Sequence, residues 1–298
     1  IWLYRTEEIP ELVSDIEKPK HALRELRSDE VLTPTDVKKL IKACFNARDK
    51  AICSLWFEAS GRVSELLRLK IKDWLKDPVN PQIAKIELKG KTGRRIIALT
   101  DSVPYVERWI NEHPGRDNPD SPIFISLSPN NFGNKLTTRG VQSIFKTIGK
   151  RAKLKKNINP HWFRHSGLDW LSRYYHFNER DLKLRGGWSK NSKMPQVYLH
   201  YGEDEVNNRY LEHKGIKQQN GLTNQEKELK PIECPRCGKV NSPDSRYCNC
   251  GQILDIDELR RIESLKSETN EFTDKLMKTP LTNPKDLDKG IYNALFEN

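Results

Sequence analysis

The sequence predicts a mainly α-helical protein with one small antiparallel β-sheet, an α+β class, followed by a short cysteine-rich module and a closing helix. Three observations carry that expectation. Most segments repeat apolar residues at helical spacing and are bounded by capping residues. Only one pair of β-rich runs, "QIAKIELKG" and "RRIIALT", flanks a turn signal, "KTG". Four of the six cysteines fall together in "CPRCGKVNSPDSRYCNCG".

Taken in order, residues 1–28 are charged and interrupted by Pro10 and Pro19, and read as a connector whose upstream domain is expected to be missing. "LTPTDVKKLIKACF" opens a helix, with Thr33 as N-cap, Pro34 at the first position and Asp36 in the first turn. Cys44 and Cys53 stand in an apparent helix, "LIKACFNARDKAICSLWF", as small core residues. The helix through "KAICSLWFEAS" stops at Gly61, and "RVSELLRLKIKDW" is expected to be a third, with Ser64 and Glu65 near its start. After the hairpin, "SVPYVERWINEH" is helical and "SPIFISL" reads as a further strand. "TTRGVQSIFKTIGKRAKL", "HWFRHSGLDWLSRYY" and "NERDLKLRGGW" up to its glycines are helices. "SKMPQVYLHYGEDEVNNRYLEHKGI" reads as a short helix, a loop and a helix. Beyond the cysteines, Ile256, Leu259, Ile262, Leu265, Phe272 and Leu276 make an incomplete apolar stripe, expected to pack on this chain or on another subunit. The closing "TPLTNPKDLDKGIYNALFEN" is broken by prolines.

Hydrophobic residues make up 36% of the 298, enough for a core, and charged residues 31%. No apolar run is long enough to cross a membrane, and the opening turns acidic within seven residues, so no signal peptide and a cytoplasmic protein are expected. The net charge is +11, yet Asp255 to Asn298 hold ten acidic and seven basic residues, so the first 254 carry +14. A basic body suggests a polyanionic partner, with nucleic acid the commonest. "GKT" at Gly90 is not a phosphate loop, because Lys85 stands where that pattern needs a glycine. The basic run Lys150 to Lys156 precedes "HWFRH" directly and is a candidate for phosphate contacts.

"HWFRH" places His161 and Arg164 one helical turn apart on a shared face, with Trp162 and Phe163 free to turn into the core. An arginine in so apolar a turn needs an anion. "SGRVSELLRLK" puts Arg62 at a helix start just after a glycine, where backbone N–H groups and a guanidinium can converge on one phosphate. "GKTGRR" puts Lys91 at a hairpin tip, and "GGWSKNSKMPQVYLHY" supplies Trp188 and then Tyr198.

These pieces together resemble the tyrosine recombinase (phage integrase) family over about residues 30–215, closest to archaeal and viral integrases and Xer-like enzymes. The resemblance implies that family's catalytic-domain fold and assigns Arg62 to its first box, His161 and Arg164 to His-x-x-Arg, Trp188 to the His-or-Trp position, Tyr198 to the nucleophile and Lys91 to the hairpin lysine. Lys89 is an alternative to Lys91, since hairpin register exchanges them, and Tyr201 is an alternative to Tyr198. The chemistry is coherent by itself. A phenol is protonated near neutrality, and cationic neighbours favour its ionised form. Two guanidiniums hold the non-bridging oxygens as charge builds on phosphorus, a lysine protonates the departing 5′ oxygen, and His161 and Trp188 add hydrogen bonds or proton transfer. Bond energy is kept in a 3′-phosphotyrosyl link, so neither ATP nor a catalytic metal is needed. The resemblance further implies double-stranded DNA as partner and a homotetrameric synapse.

Cys234, Cys237, Cys248 and Cys250 suit a tetrahedral Zn²⁺ in a short zinc ribbon with a structural role, the closing C-x-C departing from the commoner C-x-x-C. The expected organisation is a connector at 1–28, a catalytic domain at 29–218, a zinc ribbon at 231–254 and a helical tail at 255–298. The expected function is a site-specific DNA recombinase or integrase. The rivals are a type IB topoisomerase-like relaxing enzyme and a catalytically silent zinc-containing DNA-binding protein.

Overall fold

Thr33 and Asp36 close a reciprocal cap at the first helix, α1 (Pro34–Lys42): the Asp36 N–H donates to Thr33 Oγ1 at 3.2 Å, and the Thr33 N–H donates to Asp36 Oδ2 at 3.1 Å. This is seen in a computed structural model of the chain, which describes residues 29–90, 93–199, 207, 210–211, 214–216 and 229–278, the side chains of 268 and 271–278 excepted. The connector 1–28, Lys91, Tyr201 and the proline-broken end therefore lie outside the described residues.

The apparent helix across Cys44 and Cys53 is broken between them, so the helices expected through "LTPTDVKKLIKACF" and "KAICSLWFEAS" are separate. Asn46 accepts the Asp49 N–H at 2.8 Å and so starts a new helix, α2 (Ala47–Ala59). The two sulfurs still meet in the core, 3.8 Å apart. Helix α2 is buried on almost every side, because α1 and two later helices pack around it. The helix expected through "RVSELLRLKIKDW" is cut to one turn, α3 (Val63–Leu66). Tertiary pairing takes over beyond it: Leu69 O accepts from the Ile123 N–H at 2.9 Å, and the Ile71 N–H donates to Ser121 O at 3.0 Å. The chain then makes a 3₁₀ turn, Ile71–Asp73, and a strand that sequence reasoning missed, β1 (Trp74–Lys76).

Strand β1 pairs antiparallel with β2 (Ala84–Gly90), which pairs with β3 (Gly93–Leu99) in the register Gly90↔Gly93. Alternation turns Ala84, Ile86 and Leu88 into the core and Lys85 and Lys89 outward. Glu58, at the end of α2, accepts the N–H groups of Thr100, Asp101 and Ser102 at the entrance to α4 (Val103–Glu112), which ties the sheet to that helix. The strand expected in "SPIFISL" forms only isolated bridges, Lys70↔Pro122 and Ile125↔Lys135. Its backbone divides between neighbours on two sides instead of joining one ladder.

Helices α5 (Thr138–Arg151), α6 (Pro160–Tyr175) and α7 (Glu179–Gly186) follow, then a 3₁₀ turn, Met194–Tyr198. Trp56 meets Phe124 edge-on at 5.1 Å, and Phe145 stacks on Phe163 at 4.2 Å, at the centre of the core. Trp162 stays half-buried beside His165 rather than entering that core. A second, smaller cluster of Leu168, Leu182, Val197 and Tyr198 fastens the 3₁₀ turn to α6 and α7. Gly167 lets α6 approach α2: a Cβ there would stand 2.1 Å from Phe57 O.

A two-stranded hairpin, β4 (Ile232–Glu233) with β5 (Val240–Asn241), carries the cysteines. It docks through Asp244, which pairs with Lys50 at 2.5 Å. The last helix, α8 (Ile256–Lys278), leaves Ile256 66% and Leu265 51% exposed, so the near half of its apolar stripe is not covered among the described residues. Among these residues no helix is long and apolar enough to cross a membrane.

Candidate active site

Two consecutive carbonyls fix the two arginines. Helix α7 ends at Gly187, whose φ of +64° suits glycine, and the "GGW" turn aims the carbonyls of both glycines inward. Gly186 O accepts from Arg164 Nη2 at 2.6 Å, and Gly187 O accepts from Arg62 Nη2 at 3.0 Å. Arg164 Nη1 also donates to Ser60 O at 2.7 Å. Ser60 is the left-handed cap of α2, with φ of +51°. Arg164 is buried, and burial, followed by the neighbouring Arg62 charge, brings its pKa down to about 10. Its guanidinium carbon lies 4.9 Å from the Trp188 ring centre, a cation–π distance. Trp188 in turn fits against Gly186, where a Cβ would fall 2.4 Å from the ring.

Sequence reasoning did not give Glu65 or Arg95 a part in the site. Glu65 accepts from Arg62 Nη1 at 3.0 Å, from the Arg62 N–H at 2.9 Å and from Arg95 Nη2 at 2.7 Å. Burial alone would raise this carboxyl, but the hydrogen bonds and charges of Arg95 and Arg62 bring it down to about 2. Arg95 reaches on to Arg185 O at 3.0 Å, which links β3 to α7. The available signal was the spacing of Arg62 and Glu65, which faces both along one turn.

Tyr198 is 1% exposed, and Ser172 Oγ donates to its backbone carbonyl at 2.6 Å. Burial pushes the Tyr198 phenol up, Arg164 opposes this, and Asp169 adds to it. The Tyr198 hydroxyl lies 2.6 Å from His165 Nδ1, and His165 Nε2 lies 2.7 Å from His161 Nε2. His165 also had no assigned role, although "HWFRH" contains it one turn beyond His161. Asn159 caps α6 by accepting the His161 and Trp162 N–H groups at 3.0 and 3.1 Å.

Arg62, His161, Arg164, Trp188 and Tyr198 thus line one open pocket of about 420 Å³, together with Ser64, Thr138, Gln142, Asn159 and His165. Lys91 lies outside the described residues. Its alternative, Lys89, does not line the pocket and sits 3.2 Å from Glu87. A neighbouring groove shares Gln142 and Asn159 with the pocket and adds Lys146 and Lys150. In the basic run, Lys156 is held by Asp36 and Val31 O, both at 2.7 Å, so it braces α1.

Cys234, Cys237, Cys248 and Cys250 lie apart from this pocket and close to one another, all four sulfurs within 4.8 Å. Cys234 to Cys250 and Cys237 to Cys248 are each 3.6 Å. A tetrahedron of sulfurs about 2.3 Å from a central Zn²⁺ has edges of about 3.8 Å, so the donor set fits that ion. The shortened C-x-C loop is accommodated by Gly251, with φ of +85°, whose N–H donates to Cys248 O at 2.9 Å. At the first cysteine pair the Gly238 N–H donates to Cys234 O at 2.9 Å.

The profile described as the phage integrase family matches residues 30–205. Tyrosine recombinase XerA of Pyrococcus horikoshii is 33% identical over 177 residues, which cover 58% of this chain and 56% of that one. Tyrosine recombinase XerD of Oceanobacillus iheyensis is 27% identical over 207 residues, covering 65% and 64%. The chain therefore spans less than two thirds of the length of these relatives. A crystal structure of the XerH site-specific recombinase bound to its difH substrate matches with a TM-score of 0.50 and 19% identity, over 64% of this chain and 56% of that one. That likeness concerns the fold.

Proposed function

Because the chain belongs to the phage integrase family, we propose that it is a site-specific DNA recombinase that cuts and rejoins double-stranded DNA through a 3′-phosphotyrosyl intermediate. One observation carries the reading: four separate segments bring Arg62, His161 with Arg164, Trp188 and Tyr198 to a single open pocket. The scissile phosphodiester enters this pocket with its non-bridging oxygens toward Arg62 and Arg164. Both guanidiniums are already oriented by backbone carbonyls, so little reorganisation is needed as charge builds on phosphorus. The Tyr198 hydroxyl oxygen attacks, and the 5′ oxygen leaves with a proton from Lys91. His161 and the Trp188 indole hydrogen-bond the reacting groups. A 5′ hydroxyl from a partner strand then attacks the phosphotyrosine and restores a phosphodiester, so bond energy is conserved and no ATP is consumed.

The duplex backbone continues from the pocket along the groove that carries Lys146 and Lys150. The working assembly is a homotetramer on two duplexes, with the catalytic domain at 29–218, a zinc ribbon at 231–254 and a helical tail at 255–298. Cys234, Cys237, Cys248 and Cys250 hold a structural Zn²⁺, which supplies folding energy to a ribbon too small for a core of its own. Catalysis itself uses no cofactor.

Tyr198→Phe tests the assignment. On a nicked suicide duplex the variant binds DNA normally and forms no covalent adduct, read as a shifted band on a denaturing gel. A persistent adduct, mapped by peptide analysis to another residue, moves the nucleophile elsewhere.

A further inference from the structure

The proposed reaction leaves one proton unassigned, that of the Tyr198 hydroxyl. Burial disfavours the phenolate before substrate arrives, so this proton must leave as the bond to phosphorus forms. Among the described residues, the side-chain group in hydrogen-bond contact with the Tyr198 hydroxyl is His165 Nδ1, at 2.6 Å. His161, the histidine of the His-x-x-Arg pair, touches His165 instead, through Nε2 to Nε2 at 2.7 Å. The i,i+4 spacing on α6 sets this contact, with the imidazole centres 4.1 Å apart and the rings perpendicular, at 89°.

The hydrogen bonds admit one consistent assignment of protons for a phenol that donates. The Tyr198 hydroxyl donates to Nδ1 of His165, the neutral His165 carries its proton on Nε2 and donates to His161 Nε2, and His161 keeps its proton on Nδ1. We infer that His165 is the catalytic base of the tyrosine attack and that it passes the proton on to His161. The inference rests on Tyr198 being the nucleophile. In the forward step the proton moves from the Tyr198 oxygen to His165 Nδ1 while that oxygen forms its bond to phosphorus. The bond from phosphorus to the 5′ oxygen breaks. The Nε2 proton of the resulting imidazolium then shifts to His161 Nε2. In the rejoining step the Tyr198 oxygen leaves phosphorus and recovers its proton by the reverse path.

Electrostatics fits the role. Burial, then the adjacent His161 and the Arg164 charge, bring His165 down to about 4, so its ring is neutral and able to accept near neutral pH. His161 is also lowered, by burial and Arg164. The groups around the pair are Arg164 and Asp169 on α6 itself, Arg62 beside α3, and Tyr198 on the 3₁₀ turn; α5 contributes the uncharged Thr138 and Gln142. A phosphodiester anion bound between the arginines favours the imidazolium and so strengthens the base when substrate is present.

The test is single-turnover adduct formation on the nicked duplex by His165→Asn, followed across pH beside wild type and Tyr198→Phe. The Asn amide oxygen can accept the tyrosine hydrogen bond but cannot take its proton. Adduct formation is expected to slow about a hundredfold or more, with duplex affinity and thermal midpoint near wild type. The wild-type rate falls toward acid pH as His165 becomes protonated, and the variant lacks that fall. A variant rate within about threefold of wild type, or an acid fall shared by both proteins, overturns the inference and leaves His165 as a holder of the tyrosine. If His165→Asn does not fold, His165→Gln is read by the same two criteria. An adduct in Tyr198→Phe would instead refute the nucleophile, so the two failures are distinguishable.

Discussion

Glu65 decides the position of Arg62 although it makes no contact with any group proposed to react. It holds Arg62 and Arg95 at once, and its carboxyl is brought down to about 2 against an ordinary 4.5. A carboxyl lowered in this way contributes stability that is fully present above about 4.5 and is lost as pH falls toward 2. The linkage is on the order of 3 kcal/mol for a shift of this size. Glu65→Gln is therefore expected to be less stable than wild type at pH 7 and to lose less stability on acidification between about 4.5 and 2. Urea midpoints at both ends of that range check it, and parallel slopes for the two proteins refute it. His165 and Arg95 show why residue roles were partly illegible. Both stood in quoted motifs, but nothing in the local spacing indicates that Arg95, on a strand thirty residues beyond Glu65, shares that carboxylate with Arg62.

At the scale of elements, local signals decided where helices begin and tertiary pairing decided where some of them stop. The caps at Thr33, Asn46, Thr137, Asn159 and Asn178 all accept hydrogen bonds from their first turns. The shortened α3 and the missed β1 follow from backbone partners in the 119–123 segment and in β2. Helix α6 approaches α2 closely at Gly167. Gly167→Ala is expected to cost about 2–3 kcal/mol, because its Cβ meets backbone at Phe57 O, which cannot move like a side-chain end. Chemical denaturation measures this. The same shift would carry Arg164 and His165 with α6, so adduct formation should fall together with stability.

At the scale of the molecule, the ribbon and the helical body meet through a few polar contacts around Asp244 and Lys50, with Leu229 entering the main core. With so small an interface, the ribbon is expected to depend on the proposed Zn²⁺ for its fold. Treatment with a strong chelator is expected to release zinc and to make residues 231–254 sensitive to protease, while the helical circular dichroism of the body is retained. A ribbon equally resistant before and after chelation, or a metal assay that finds no zinc, refutes the site. The +14 balance of the first 254 residues, the helix-and-hairpin order and the clustered cysteines were all properties of the sequence alone, because charge, hydrophobic period and short-range spacing need no fold to be read. The sequence also determined which residue types reach the pocket, through short motifs whose members are neighbours in the chain. Only the tertiary structure decided that consecutive glycine carbonyls hold two distant arginines and that His165 rather than His161 touches Tyr198. The physical reason is that a hydrogen bond depends on distance and direction in space, and those are set between segments by packing.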